Sequence, residues 1–207
     1  MPTKAEYDAH LEELKAETIE KLEWKIWDVV GAVRSCLDQR LWEPALILLY
    51  SNIDALAWLG CPKEQTDVTR ADFIGWVSTY MLPIEGTDCT AEDLYAARCG
   101  LLHTHTADSR LNRNKRARRV YYHRTCEGRT LGVLQVRMQD TLWPVSVDVD
   151  VMVAAFQRAV VAFARDVAAD PDRFTTLVTR VITSYMAEVE WHGVPGAAGV
   201  SATIIRR

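Results

Sequence analysis

Between Glu92 and Arg110 the chain reads EDLYAARCGLLHTHTADSR. The run holds two permanent cations (Arg98 and Arg110), a thiol (Cys99), two imidazoles (His103 and His105) and carboxylates at Glu92, Asp93 and Asp108. Three chemistries are open to such a set. Metal binding is the first, but zinc ordinarily takes three or four protein ligands, and only His103, His105 and Asp108 cluster here. Thiol catalysis is the second. Cys99 stands one turn from His103, yet neither an oxyanion-hole motif nor a third member accompanies the pair. The third is proton transfer beside a fixed charge, with Arg98 and His103 as the pair. Arginine offers a planar fork that matches phosphate oxygens, and histidine gives or takes a proton near neutral pH. That is the minimum equipment for cutting RNA without a metal, because the substrate's own 2′-hydroxyl is the nucleophile. On an ideal helix, residues five apart diverge by roughly 140°. The two can therefore border one groove where the helix end frays, or where a second copy lies opposite.

The elements that position this run can be read from periodicity. Ala5 to Leu41 carries apolar residues at three- and four-residue steps, which predicts one long helix, with Gly31 as a place for a kink. EPALILLYSNIDALAWLG predicts a second helix, with Pro44 in its first turn and Gly60 at its C-terminal end. It is apolar nearly all round, so it should be central. A third helix is expected after Thr69, ending before Pro83. Thr90 and Asp93 make a capping box that opens the helix bearing Arg98. VYYHRTC, LGVLQVRM and VSVDVDV alternate or are β-branched, which predicts strands, with EGRT as a hairpin turn between the first two. Two more helices follow, divided at Asp170-Pro171, the last running through Trp191 and His192. The fold class expected is mainly α: a helical bundle with a small antiparallel sheet inserted before the last two helices. One domain is expected over residues 1–207. Its helical core covers about 5–110 and 151–192 and its β insertion about 117–150, and the small-residue tail from 193 to 207 is expected to be mobile.

LLYSNIDALAWL followed by DLYAARCGLLHT resembles the HEPN domain superfamily. The resemblance rests on Arg98 and His103 as an R-x4-6-H signature at a helix end, and on Tyr50, Ile53 and Asp54 in the preceding helix. It spans roughly residues 46 to 110. It implies a helical bundle (HEPN-like) that pairs as a homodimer through the motif helix. It also implies a metal-independent endoribonuclease with Arg98 and His103 as the catalytic pair, needing no cofactor and no metal. Toxin–antitoxin, anti-phage and RNA-processing roles go with that superfamily, and with them an antitoxin or nucleotidyltransferase partner. Some members are non-catalytic modules that bind a protein or nucleotide partner. The residue after the arginine is often polar in active members, and here it is Cys99, which favours that alternative. Asp54, Cys99 and His105 are the supporting residues expected around the pair.

The next stretch is basic. Arg110 to Arg129 holds eight basic residues against Glu127 alone, a net of +7 in a chain whose total is −4. Arg110, Arg113, Lys115, Arg116, Arg118 and Arg119 are expected phosphate contacts. Tyr121, Tyr122 and His123 are expected to stack on unpaired bases. The competing expectation is a solvated loop with the tyrosines in the core.

Bulk properties narrow the class. Apolar residues make up 49% and charged residues 25% of 207, the profile of a soluble globular domain. Five cysteines without CxxC spacing argue against a disulfide framework and for reduced thiols in a cytoplasmic setting. No signal-peptide pattern opens the chain, and PALILLY is far too short to cross a bilayer.

Overall fold

The structure is a computed structural model that describes residues 3–106, 108–126, 129–132, 143–184, 188–192 and 201–205. Its first helix, α1 (Lys4–Asp38), begins at a capping box made by Thr3 and Glu6. It passes Gly31 without interruption and spans 35 residues. Leu22, Val30, Val33 and Leu37 turn one face of it into the core. Trp24 and Trp27 lie on the opposite face, 65% and 62% exposed.

The central helix is α2 (Trp42–Leu59). Leu49, Tyr50 and Ile53 are fully enclosed because α1 and the later helices pack around it. Gly60 closes its C-terminal end. A short α3 (Arg70–Trp76) opens on a capping box of Thr69 and Asp72 and continues as a π-helical turn through Met81. Next come α4 (Ala91–Thr104), which carries the chemically rich run, and the single turn α5 (Arg110–Arg113).

Strands β1 (Val120–Cys126), β2 (Arg129–Gly132) and β3 (Val145–Asp148) form one sheet, ordered β2-β1-β3. The sheet is mixed rather than antiparallel: β1 runs antiparallel to β2 but parallel to β3. Cys126 pairs with Arg129, so Arg129 and Thr130, expected in the turn, belong to the strand. Most of the expected strand LGVLQVRM lies outside the described residues. β3 is held in the parallel sense from both ends. Val145 N–H donates to Arg119 C=O. Asp148 accepts from Thr125 N–H while also capping the next helix. Val120, Val145 and Val147 then face the core.

The last two helices are α6 (Val149–Ala168) and α7 (Pro171–Ser184). Phe156, Ala159 and Phe163 bury the inner stripe of α6. Arg180 pins α7 to the end of α2. Its guanidinium donates to the carbonyls of Trp58, Cys61, Pro62 and Gln65 and lies 4.9 Å from the Trp58 ring centre. The final helix stops earlier than its periodicity predicts. Glu188–His192 is a strand, β4, paired antiparallel with β5 (Ser201–Ile205) in the segment expected to be a mobile tail. The fold is mainly α, and no helix among the described residues is long and apolar enough to cross a membrane.

Candidate functional site

Capping residues fix both ends of α4. Thr90 accepts from Asp93 N–H, and Asp93 returns a bond to Thr90 N–H. At the C-terminal end, His105 adopts the left-handed conformation (φ 51°). His105 N–H reaches Leu101 C=O, the 5→1 bond of an αL cap, and Thr106 N–H reaches back to Gly100 C=O. A non-glycine residue costs roughly 1–2 kcal/mol in that conformation, and the His105 ring pairs with Glu43 on α2. Gly100 is required by the fold-back: a Cβ there would stand 2.6 Å from Thr106 C=O.

Within this frame Arg98 is clasped by α2. Its Nε and Nη2 both reach Asp54 Oδ2, at 2.8 and 2.7 Å. Both side chains are largely buried, 18% and 16% exposed. The third nitrogen, Nη1, is left to face outward and lies 3.2 Å from His103 Nε2. The length of the arginine side chain spans the angle that separates the two residues on the helix. Arginine has no acceptor atom, so His103 Nε2 must accept, and its ring is then neutral with the proton on Nδ1. His103 itself is exposed. Cys99 Sγ lies 3.9 Å from Arg98 Nη1, a weak acceptor.

Burial pushes the Asp54 carboxyl above its usual range, against the pull of the Arg98 hydrogen bond and charge. For Arg98, burial opposes the charge, but Asp54 outweighs it and holds the guanidinium more firmly protonated than an ordinary arginine. The pair is an ion pair that stays charged because each partner is the other's main compensation.

Beside this pair sits Tyr95, one turn earlier on α4. It packs edge-on against Phe73 of α3 at 5.5 Å. Two guanidinium groups approach its ring: Arg98 at 6.0 Å and Arg70, from the first turn of α3, at 5.6 Å. Sequence reasoning passed over both Tyr95 and Arg70. The one available signal was that a cation in the first turn of a helix opposes the helix dipole.

The basic run divides into two groups. Arg118 is not a free phosphate contact. It grips Asp93 through Nε (3.1 Å), Nη2 (2.8 Å) and its backbone N–H (2.7 Å), and it reaches Asp88 as well. Arg113 and Arg119 pair with Asp108, and Arg124 pairs with Asp38 and Asp150. Arg110, Lys115 and Arg116 are exposed and make no ion pair among the described residues. Tyr122 meets Tyr50 hydroxyl to hydroxyl and packs against the core, so it is turned away from any base. Tyr121 is half-buried on the other face of β1. His123 spans Ser146 Oγ (2.9 Å) and Asp148 (3.7 Å). Asp148 is occupied by the N–H groups of Thr125, Asp150 and Val151, so the trio is a strand-to-strand link.

No group of three or more metal-ligating side chains converges among the described residues. Cys36, Cys61, Cys89 and Cys99 are free thiols. Burial pushes the Cys89 thiol up to about 12, which keeps it protonated and unreactive. Compared with protein-family models, with curated proteins and with solved structures, the chain has no match.

Proposed function

We propose that this chain is a HEPN-type endoribonuclease that works without a metal ion, as a homodimer. The observation that carries the reading is the Arg98 guanidinium, anchored by Asp54 on two nitrogens and aimed by the third at His103 Nε2. An incoming phosphate draws the Nη1 N–H to its own oxygen. That frees the His103 lone pair to take the 2′-hydroxyl proton. The 2′-oxygen then bonds to phosphorus and the bond to the 5′-oxygen breaks. The departing oxygen collects a proton from a second acid, which in the dimer is the other copy's His103 in its protonated, imidazolium state, so that one ring gains a proton as the other loses one. Arg98 neutralises charge that builds on the phosphate oxygens. The products are a cyclic phosphate and a 5′-hydroxyl end. His105 is a further proton carrier or an RNA contact, held by Glu43.

The alternative is a non-catalytic module of the same superfamily that binds a protein or nucleotide partner through this face. Cys99 favours it, since sulfur at 3.9 Å is a poor substitute for a polar group beside the arginine. Cleavage of a broad set of transcripts in EDTA decides between them. Wild type should cut, and His103→Ala should lose about 10²–10⁴ in rate while keeping the native melting curve. Arg98→Ala should also lose cleavage, assayed below its lowered melting point because it strands the largely buried Asp54. Wild-type protein that leaves every transcript intact refutes the enzyme and leaves the module.

A further inference from the structure

Arg70 is a cation with no carboxylate partner among the described residues. It is exposed, and no hydrogen bond or ion pair to it occurs among the described residues. Its one defined contact is the Tyr95 ring, which also carries Arg98. Arg98 is compensated by Asp54, so the cluster keeps one positive charge, Arg70, without an ion-pair partner among the described residues. Its placement runs against local stability. Arg70 sits in the first turn of α3, where the helix dipole disfavours a cation. It also shares one ring with a like charge, and an exposed cation–π contact is weak. The position is nevertheless firmly built. The Thr69–Asp72 capping box sets the start of α3, and the Phe73–Tyr95 contact sets its spacing from α4. The two guanidinium carbons lie within about 12 Å of each other, since each is close to the same ring.

We propose that Arg70 and Arg98, both held on Tyr95, form a seat for two neighbouring phosphates of a single RNA strand. Arg98 takes the scissile phosphate, and Arg70 takes a flanking one that is bound but not transformed. The seat rests on the ribonuclease reading for its polymer, but its binding role is separable from catalysis. Arg70 acts mainly on affinity, Arg98 on the chemical step, and Tyr95 positions both.

The test uses a fluorescent single-stranded oligoribonucleotide with 2′-O-methyl groups, which cannot be cut, titrated against the full chain at several salt concentrations. Unmethylated RNA of the same sequence reports cleavage. Arg70→Gln should weaken binding about tenfold and flatten the slope of log affinity against log salt by about 0.7, the value for one contact to a single strand. In cleavage it should raise KM and leave kcat within about twofold, the signature of lost uniform binding. Tyr95→Phe should keep the wild-type affinity, because the ring remains. Tyr95→Leu should lose affinity as Arg70→Gln does and in addition lower kcat, because the ring that it removes also supports Arg98. If Arg70→Gln binds with wild-type affinity and salt slope, the seat is wrong whether or not RNA is cut. If the methylated strand binds in an Arg70-dependent way but unmethylated RNA is never cut, the seat stands and the nuclease falls. If wild type does not bind the methylated strand, the seat falls directly.

Discussion

Removing the Arg118 side chain as Arg118→Ala strips four guanidinium hydrogen bonds from two aspartates, one of them to Asp88 C=O, and leaves Asp93 stranded. Asp93 is only 3% exposed, so water cannot replace the guanidinium. It would keep the N–H bonds from Thr90 and from the Arg118 backbone but lose its compensating charge. Removing one partner of a buried ion pair typically costs 3–5 kcal/mol. Arg118 is itself about a quarter exposed and Asp93 retains two N–H donors, which places the loss at the low end, about 3 kcal/mol. For a chain of this size that corresponds to a melting point lower by about 6–12 °C. Thermal unfolding followed by circular dichroism measures it, with Arg116→Ala as the control. Arg116 is exposed and makes no ion pair among the described residues, so its variant should melt with wild type. RNA affinity should show the reverse order per native molecule, with Arg116→Ala the weaker binder. If Arg118→Ala melts with wild type and instead loses RNA affinity, the clamp argument is refuted and Arg118 belongs to the phosphate-binding surface.

Two further outcomes follow from the geometry. Gly100→Ala should lower stability by about 1–3 kcal/mol, because its Cβ would meet the Thr106 carbonyl at 2.6 Å. It should also impair cleavage by displacing the chain that holds His103 and His105, whereas Gly75→Ala, with nothing within 4 Å, should leave cleavage intact. In acid, Asp166 is held below its ordinary 3.8, first by the Tyr80 hydrogen bond and then by Arg173. Asp72 is held below the same value because bonds from Thr69 and Gln65 outweigh the opposing effect of burial. Below about pH 4 the unfolded chain therefore binds more protons at these two sites than the folded one. The stability they contribute is present above that pH and is lost as pH falls through their lower folded values. Asp166→Asn should flatten this acid-side loss, as measured by urea unfolding at stepped pH; an unchanged slope would rule out the contribution.

Much of the helical frame follows from residues a few positions apart. The three- and four-residue apolar steps of α1, the Thr90–Asp93 box that starts α4, Gly60 at the end of α2 and the break at Asp170-Pro171 are local. Backbone geometry and capping bonds act within one turn, so the sequence alone carries them. The same locality limits what neighbouring residues can encode. The sequence places Arg98 and His103 at divergent angles on an ideal helix. Only the Asp54 clasp from α2, which leaves Nη1 free, and the reach of a long side chain bring the two to 3.2 Å. Charge composition counted Arg118 among the RNA contacts. Its partner Asp93 lies 25 residues away and is buried by packing, and composition contains no such information. Alternation marked β1 and β3 as strands, but strand direction depends on where the chain re-enters the sheet. Here the bonds from Val145 to Arg119 and from Thr125 to Asp148 select the parallel pairing. Arg70 and Tyr95 meet because Phe73 sets α3 against α4. In each case the deciding interaction is between groups distant in sequence, and its energy exists only after the core has brought them together.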